Sequence, residues 1–190
     1  MFKNGWKKKF KDYITRKKRF LIILVVVLVA FTYLNLSSKK TSGSSNGAKT
    51  VTSSVDKSFE FPALDNQGKP LKNIIKFKIS SVEKTNQVLV KDQIFTAKNN
   101  KLFLIVNLEL KNDATVPVNI LPGDVIRLSL DNDKETRYAP DLHNNLVPVA
   151  AISTKVDRIG FVIPDTAQKF YLFIGEIEGE KQEVSLDFPS

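Results

Sequence analysis

Residues 130–135 read LDNDKE, and three carboxylates alternate in them: Asp131, Asp133 and Glu135. Positions one, three and five of a calcium loop carry oxygen ligands in this spacing. Asp141 follows closely and enlarges the cluster, so a divalent-ion site is the sharper reading. The calcium pattern then breaks. Thr136 stands where the sixth-position Gly is needed for the sharp turn, and Leu142 where the twelfth-position Glu would bind. A hairpin turn, in which Asp and Asn tolerate unusual backbone angles, is the plainer reading and the favoured one. His143 is the one histidine in the chain. It lies in DLHNN, a polar loop, and no nucleophile elbow or triad order accompanies it. No Gly-rich phosphate loop, HExxH or paired-carboxylate motif appears. The inventory argues against an enzyme and calls for no cofactor.

Two apolar stretches could instead make contacts. Val116, Val118 and Ile120 lie in ATVPVNILPGD, either as core or as an exposed lip. Leu142, His143 and Leu146 lie in LHNNLVPVAAI, long for a hairpin loop. Long loops on a rigid scaffold often carry recognition, so these six are the partner-binding candidates.

The elements that must position such residues begin far upstream. Phe20 to Leu36 is an uncharged run of 17 residues, flanked by Lys17, Lys18 and Arg19. It gives about 25 Å of helix, near the short end of what spans a bilayer. The flanking bases can snorkel to the headgroups. Leu36 occupies a place where signal-peptide cleavage wants a small residue, which favours a retained signal-anchor over a cleaved leader. Residues 1–19 hold nine Lys/Arg and one acid, Asp12, so the positive-inside rule sets them in the cytoplasm and 37–190 outside.

That distribution also removes a tempting function. The formal charge is +9, yet from Phe59 onward there are 16 basic and 18 acidic residues. A fold that tracks phosphates would carry the charge on itself, so nucleic-acid binding is not expected. Within the tail, Phe2, Trp6, Phe10 and Tyr13 recur at helical spacing among lysines. A surface helix on anionic lipids of the inner leaflet is expected from Trp6, Lys7, Lys8, Lys9, Phe10, Arg16, Lys17, Lys18 and Arg19. The chain has no cysteine, which excludes disulfides, lipidation at Cys and thiol chemistry.

Residues 37–58, SSKKTSGSSNGAKTVTSSVDKS, read as a flexible tether with a reach of roughly 25 Å. From Phe59 to 190 the pattern is that of one β domain. IIKFKISSV alternates Ile75, Phe77 and Ile79 with polar residues. KLFLIVNLELKN sends Leu102, Leu104, Val106, Leu108 and Leu110 to one face. Its other face carries Phe103 and Ile105 and then turns polar, as in a central strand covered on both sides only at its start. Further strands are expected at 87–95, 116–121, 124–130, 135–139, 156–164, 169–177 and 182–188. Turn chemistry separates them at short spacing, and no amphipathic helix intervenes, so an all-β antiparallel sandwich is expected.

The run NNKLFLIVNLELKNDATVPVNILPGDVIRLSLDNDKETRYAPD, with Gly160-Phe161-Val162-Ile163-Pro164 beyond it, resembles a bacterial immunoglobulin-like domain of unknown function. That domain occurs in secreted and lipoprotein-type proteins and shares its fold with a secreted actinobacterial antigen. The likeness rests on the strand ending in Lys111-Asn112, the acidic turn Asp131–Lys134 and Tyr138, and covers roughly 70–188. Lys134-Glu135 replaces an Asp-Gly type of turn. The resemblance implies an immunoglobulin-like β-sandwich on an envelope anchor and no activity. A membrane-anchored, Gram-positive, extracytoplasmic binding module with an envelope or membrane protein partner is the expected function. The alternatives are an accessory subunit acting through its helix and tail, and a calcium-responsive domain.

Overall fold

The computed structural model describes residues 48–189. The basic tail with its nine membrane-surface candidates, the expected span at 20–36 and most of the tether lie outside the described residues. Among the described residues no helix is long and apolar enough to cross a membrane.

Twelve strands and one short helix follow each other: β1 (Thr50–Leu64), β2 (Pro70–Thr85), β3 (Gln87–Val90), β4 (Gln93–Thr96), β5 (Lys101–Asn112), β6 (Val118–Ile120), α1 (Pro122–Val125), β7 (Ile126–Leu130), β8 (Asp133–Tyr138), β9 (Val147–Val149), β10 (Ser153–Pro164), β11 (Phe170–Ile174) and β12 (Gln182–Leu186). They form a six-stranded sheet in the order β10-β5-β2-β1-β6-β9, a four-stranded sheet β12-β11-β7-β8, and the separate hairpin β3-β4. All pairings are antiparallel. Phe77, Leu108 and Phe161 of the first sheet share one core with Leu128, Leu172 and Val184 of the second. The fold is therefore all-β and sandwich-like.

Period two decides which residues enter that core. Strands β2, β5 and β10 each turn alternate apolar side chains inward, and Phe61 meets Phe77 edge to face with centroids 5.4 Å apart. Such a ring removes on the order of 2–3 kcal/mol of apolar surface cost from water. Strand β5 runs from Lys101 to Asn112, as its alternation predicts, between β2 and β10. Its start is covered on both sides. Phe103 and Ile105 are buried under Val88 of the β3-β4 hairpin, in a cluster separate from the main core.

Several expected boundaries are corrected. Residues 50–58 are not tether. They pair with β2 from Thr50↔Thr85 to Ser58↔Lys78, and Ser53 is buried. A strand rich in Ser and Thr has the composition of a linker, so only its pairing distinguishes it. The expected strand 87–95 is a hairpin whose two tip residues, Lys91 and Asp92, have positive φ (48° and 63°). The expected strand at 116–121 shrinks to Val118–Ile120, and 124–125 belong to α1. The expected loop 142–152 contains β9, whose Val147 and Val149 are buried.

Two ends of the sandwich now matter. One end holds the start of β1, the end of β2 and the hairpin β3-β4. Here Thr50 Oγ1 lies 2.9 Å from Thr85 Oγ1, and the Lys49 amide donates to Asn86 Oδ1 at 2.9 Å. The opposite end holds the β1–β2 turn, where Leu64 pairs with Pro70, and the β11–β12 turn.

Candidate functional site

The acidic loop does not assemble a cation site. Asp131 has φ 56°, and its Oδ1 accepts the amides of Gln168 (2.9 Å) and Lys169 (3.2 Å). Those hydrogen bonds hold its carboxyl below the usual carboxylate range. Asp133 Oδ1 accepts the amides of Thr136 (3.0 Å) and Glu135 (3.2 Å), and the Thr136 side chain and amide lower its pKa in the same way. Asp141 Oδ2 accepts the Val162 amide at 2.7 Å, over on β10. Each aspartate thus caps a different piece of backbone, and Glu135 is exposed to solvent. Among the described residues no group of three His, Cys, Asp or Glu is arranged to hold a metal ion.

The six partner-binding candidates separate. Val118 and Ile120 are core residues, 1% and 2% exposed, and cannot form a lip. Val116 is exposed. Leu142 bridges to Gly160 of β10 by two backbone hydrogen bonds and packs partly on the Val88 cluster. His143 is exposed, with its ring laid against the Cα of Gly123. A methyl group on Gly123 would come within 2.8 Å of that ring, which is the reason a glycine suits this approach. Leu146 is partly buried. Leu142 and His143 share a recess with Arg158 and Val90. The other four candidates do not join it.

A larger concavity lies elsewhere, at the end away from Lys49. It is an open groove of about 450 Å³ between the β1–β2 turn, α1 and the β11–β12 turn. Phe61, Leu64, Val125 and Ile177 supply apolar walls, while Asp124, Glu176 and Glu178 stand among them. Ile177 is 63% exposed. The turn that carries it is built rather than loose. Lys181 Nζ donates to the carbonyls of Glu176 and Ile177, the latter at 3.1 Å. The Gly175 amide donates to Val125 O at 3.0 Å, tying the turn to α1. Burial, with Arg127 and Arg137 nearby, lowers the Lys181 pKa. Gly175 is required by space, since an added Cβ would lie 2.3 Å from Glu180 O.

Of the expected residues only Ile120 borders this groove. The remaining groove residues were missed because 169–177 reads as strand and 178–181 only as the break after it. A signal was present: EIEGE alternates three acids around an exposed isoleucine. That pattern is unusual for a turn whose only task is to reverse the chain.

The hairpin end has the opposite character. Cross-strand neighbours Leu89 and Ile94 both face solvent on one face of the hairpin, and Phe95, opposite Val88, is half exposed on the other. Val88 pins the hairpin to Phe103 and Ile105, and Arg158 Nη2 donates to Leu89 O at 2.7 Å.

No family model matches the chain, and no curated protein is similar to it. Among solved structures it is similar to a conserved hypothetical protein from Bacillus anthracis. The two share 18% identity and a TM-score of 0.48, over 70% of this chain and 96% of that one.

Proposed function

We propose that the chain is a membrane-anchored, extracytoplasmic and non-catalytic binding module of a bacterial, Gram-positive envelope. Its immunoglobulin-like β-sandwich docks a protein partner, and a signal-anchor helix at 20–36 holds it with residues 1–19 in the cytoplasm. The observation that carries the binding reading is the groove at the end away from Lys49. It combines apolar walls with a rim of Asp124, Glu176 and Glu178, on turns locked by Gly175 and Lys181. A rigid apolar groove with an acidic rim fits a cationic segment that offers one apolar side chain. The anchor reading is supported by the charge step around the apolar run.

A photo-crosslinker at Ile177 in the full chain, in cells, tests this. A discrete adduct is expected, and Glu176→Lys with Glu178→Lys should abolish it while an equivalent probe at Val156 on β10 gives none. Loss of nothing on charge reversal would sink the groove as the docking site. The accessory-subunit reading has its own support in the basic, aromatic tail. Exchanging residues 1–36 for a foreign anchor separates the two, because a plain binder keeps the Ile177 adduct and a subunit acting through its helix loses its complex.

A further inference from the structure

We propose that the β3-β4 hairpin docks on the surface of an anionic phospholipid bilayer, through Leu89, Ile94 and Phe95 with lysines around them. The inference rests on the membrane anchor of the previous section and assigns a task to the end of the sandwich that the groove does not use.

Exposure is the first observation. Leu89, Ile94 and Phe95 are 48%, 69% and 48% exposed on a single two-stranded hairpin, Leu89 and Ile94 on one face and Phe95, opposite Val88, on the other. Scattered apolar residues on a surface need no explanation, but three clustered at one projecting element do. The hairpin is not there to fill the core. Val88 is buried in a cluster outside the main core, Val90 and Ala97 pack partly on that cluster, and Arg158 holds the Leu89 carbonyl, so the hairpin keeps a fixed pose.

Charge is the second. The domain from Phe59 onward is slightly acidic, yet residues 85–101 hold Lys91, Lys98 and Lys101 against one acid, Asp92. Lys49 lies at the same end, bonded to Asn86 at the foot of the hairpin, while Lys84 is laid over the Phe170 and Phe188 rings. Apolar side chains at a tip with lysines beside them match the boundary between acyl chains and phosphate headgroups. A second copy of the chain would set these lysines against each other, so self-association is disfavoured.

Position is the third. The chain outside the described residues joins the domain at this end and not at the groove. From Ser37 to Lys49 is 13 residues. A chain of that length reaches at most about 45 Å even when fully extended. With the bilayer so near, even a weak surface contact is made at high effective concentration.

The test uses the full chain in vesicles. Because the chain lacks cysteine, Ile94→Cys and Ile177→Cys each give one labelling site, at opposite ends. Each is labelled with an environment-sensitive dye and read by quenching from nitroxide lipids. In vesicles containing phosphatidylglycerol the dye at 94 is expected to be quenched about three-fold more than the dye at 177, with the difference lost at high salt. Leu89→Ser with Phe95→Ser, in the Ile94→Cys background, should remove it too. Lys91→Glu with Lys98→Glu should cut it by about half or more. Near-native melting temperatures in these variants keep the comparison valid. Equal quenching at both positions, no quenching at 94, or burial of 94 against a second copy or another protein overturns the proposal. Carbonate extraction of the same vesicles reports the anchor alone. A stripped protein that still quenches at 94 sinks the anchor and spares the hairpin, and an integrated protein without quenching does the reverse.

Discussion

The two ends of the sandwich solve opposite surface problems with the same device, a turn between antiparallel strands. At the β11–β12 end the turn is folded back on itself. Lys181 is drawn in to satisfy its carbonyls, Gly175 lets the backbone close up, and the acids are left facing out around a groove. At the β3-β4 end the two residues at the tip take positive φ, and the strands stay extended. Apolar side chains then remain in water, with lysines beside them. A concavity needs local polar groups that close a turn; a projecting wedge needs only a tight tip and one buried foothold. The comparison teaches that the same kind of turn closes a groove or leaves a wedge according to whether its own polar groups fold it back.

The largest expected effect breaks the frame behind the groove while sparing the wedge. Asn112 is fully buried at the end of β5. Its Nδ2 donates to Val116 O (2.9 Å) and Ala150 O (3.0 Å), with Val149 O at 3.3 Å, and its Oδ1 accepts the Ala114 amide (2.9 Å). It joins the 113–117 loop to the segment after β9. Asn112→Leu orphans one buried and three part-buried backbone groups at once and should cost about 3 kcal/mol in urea unfolding. Hydrogen exchange should rise first around 113–117 and 149–152, with the Val88 cluster still protected. Uniform loss of protection would show that the two ends are one cooperative unit.

Gly175→Ala comes next. The turn must open to accept the methyl group, at about 1–3 kcal/mol. Crosslinking from Ile177 should be lost, and lipid quenching at position 94 should persist. The mirror-image change, Leu89→Ser with Phe95→Ser, removes half-exposed side chains outside the main core and should alter stability by about 1 kcal/mol or less. If that pair instead destabilises the domain strongly, the wedge is part of the core and the contrast between the ends is lost.

How much of this was legible depends on whether a feature is local. Strand β5 was, because Leu102 to Leu110 alternate within one window and the switch from Phe103 and Ile105 to Asn107 and Glu109 records where cover ends. The hairpin's apolar residues were read as strand, but VLVKDQIF carries no Asn-Gly or Gly at its tip, so the reversal at Lys91-Asp92 was hidden. Strand β1 has the composition of a tether up to Ser58, and its partners lie 20 and more residues away in β2. Val118 and Ile120 could be either core or lip until β9 paired with β6 over them. The groove was the least legible feature, because its walls come from three segments that no window contains together.

The acidic turn gives the smallest effects, although it lies at the same end of the sandwich as the hairpin, where Leu130 pairs with Phe170 under Lys84. Asp131 and Asp133 have folded pKa values below the ordinary carboxylate range, lowered by backbone and Thr136 hydrogen bonds. A depressed folded pKa stabilises above the unfolded value, near 3.9, and that stabilisation is lost as pH falls through the folded value. The melting temperature should therefore hold from neutrality to about pH 5 and fall below about pH 4, with Asp131→Asn flattening part of the fall. Calcium should do nothing measurable at neutral pH. To bind it, Asp131 would have to release the amides of Gln168 and Lys169, and Asp133 those of Glu135 and Thr136. Asp141 would have to leave Val162 on another strand. An ion that breaks five backbone hydrogen bonds to gain three separated carboxylates gains little. A rise in melting temperature with millimolar calcium, absent in Asp131→Asn, would mean that the turn rearranges around the ion and would restore the calcium-responsive reading.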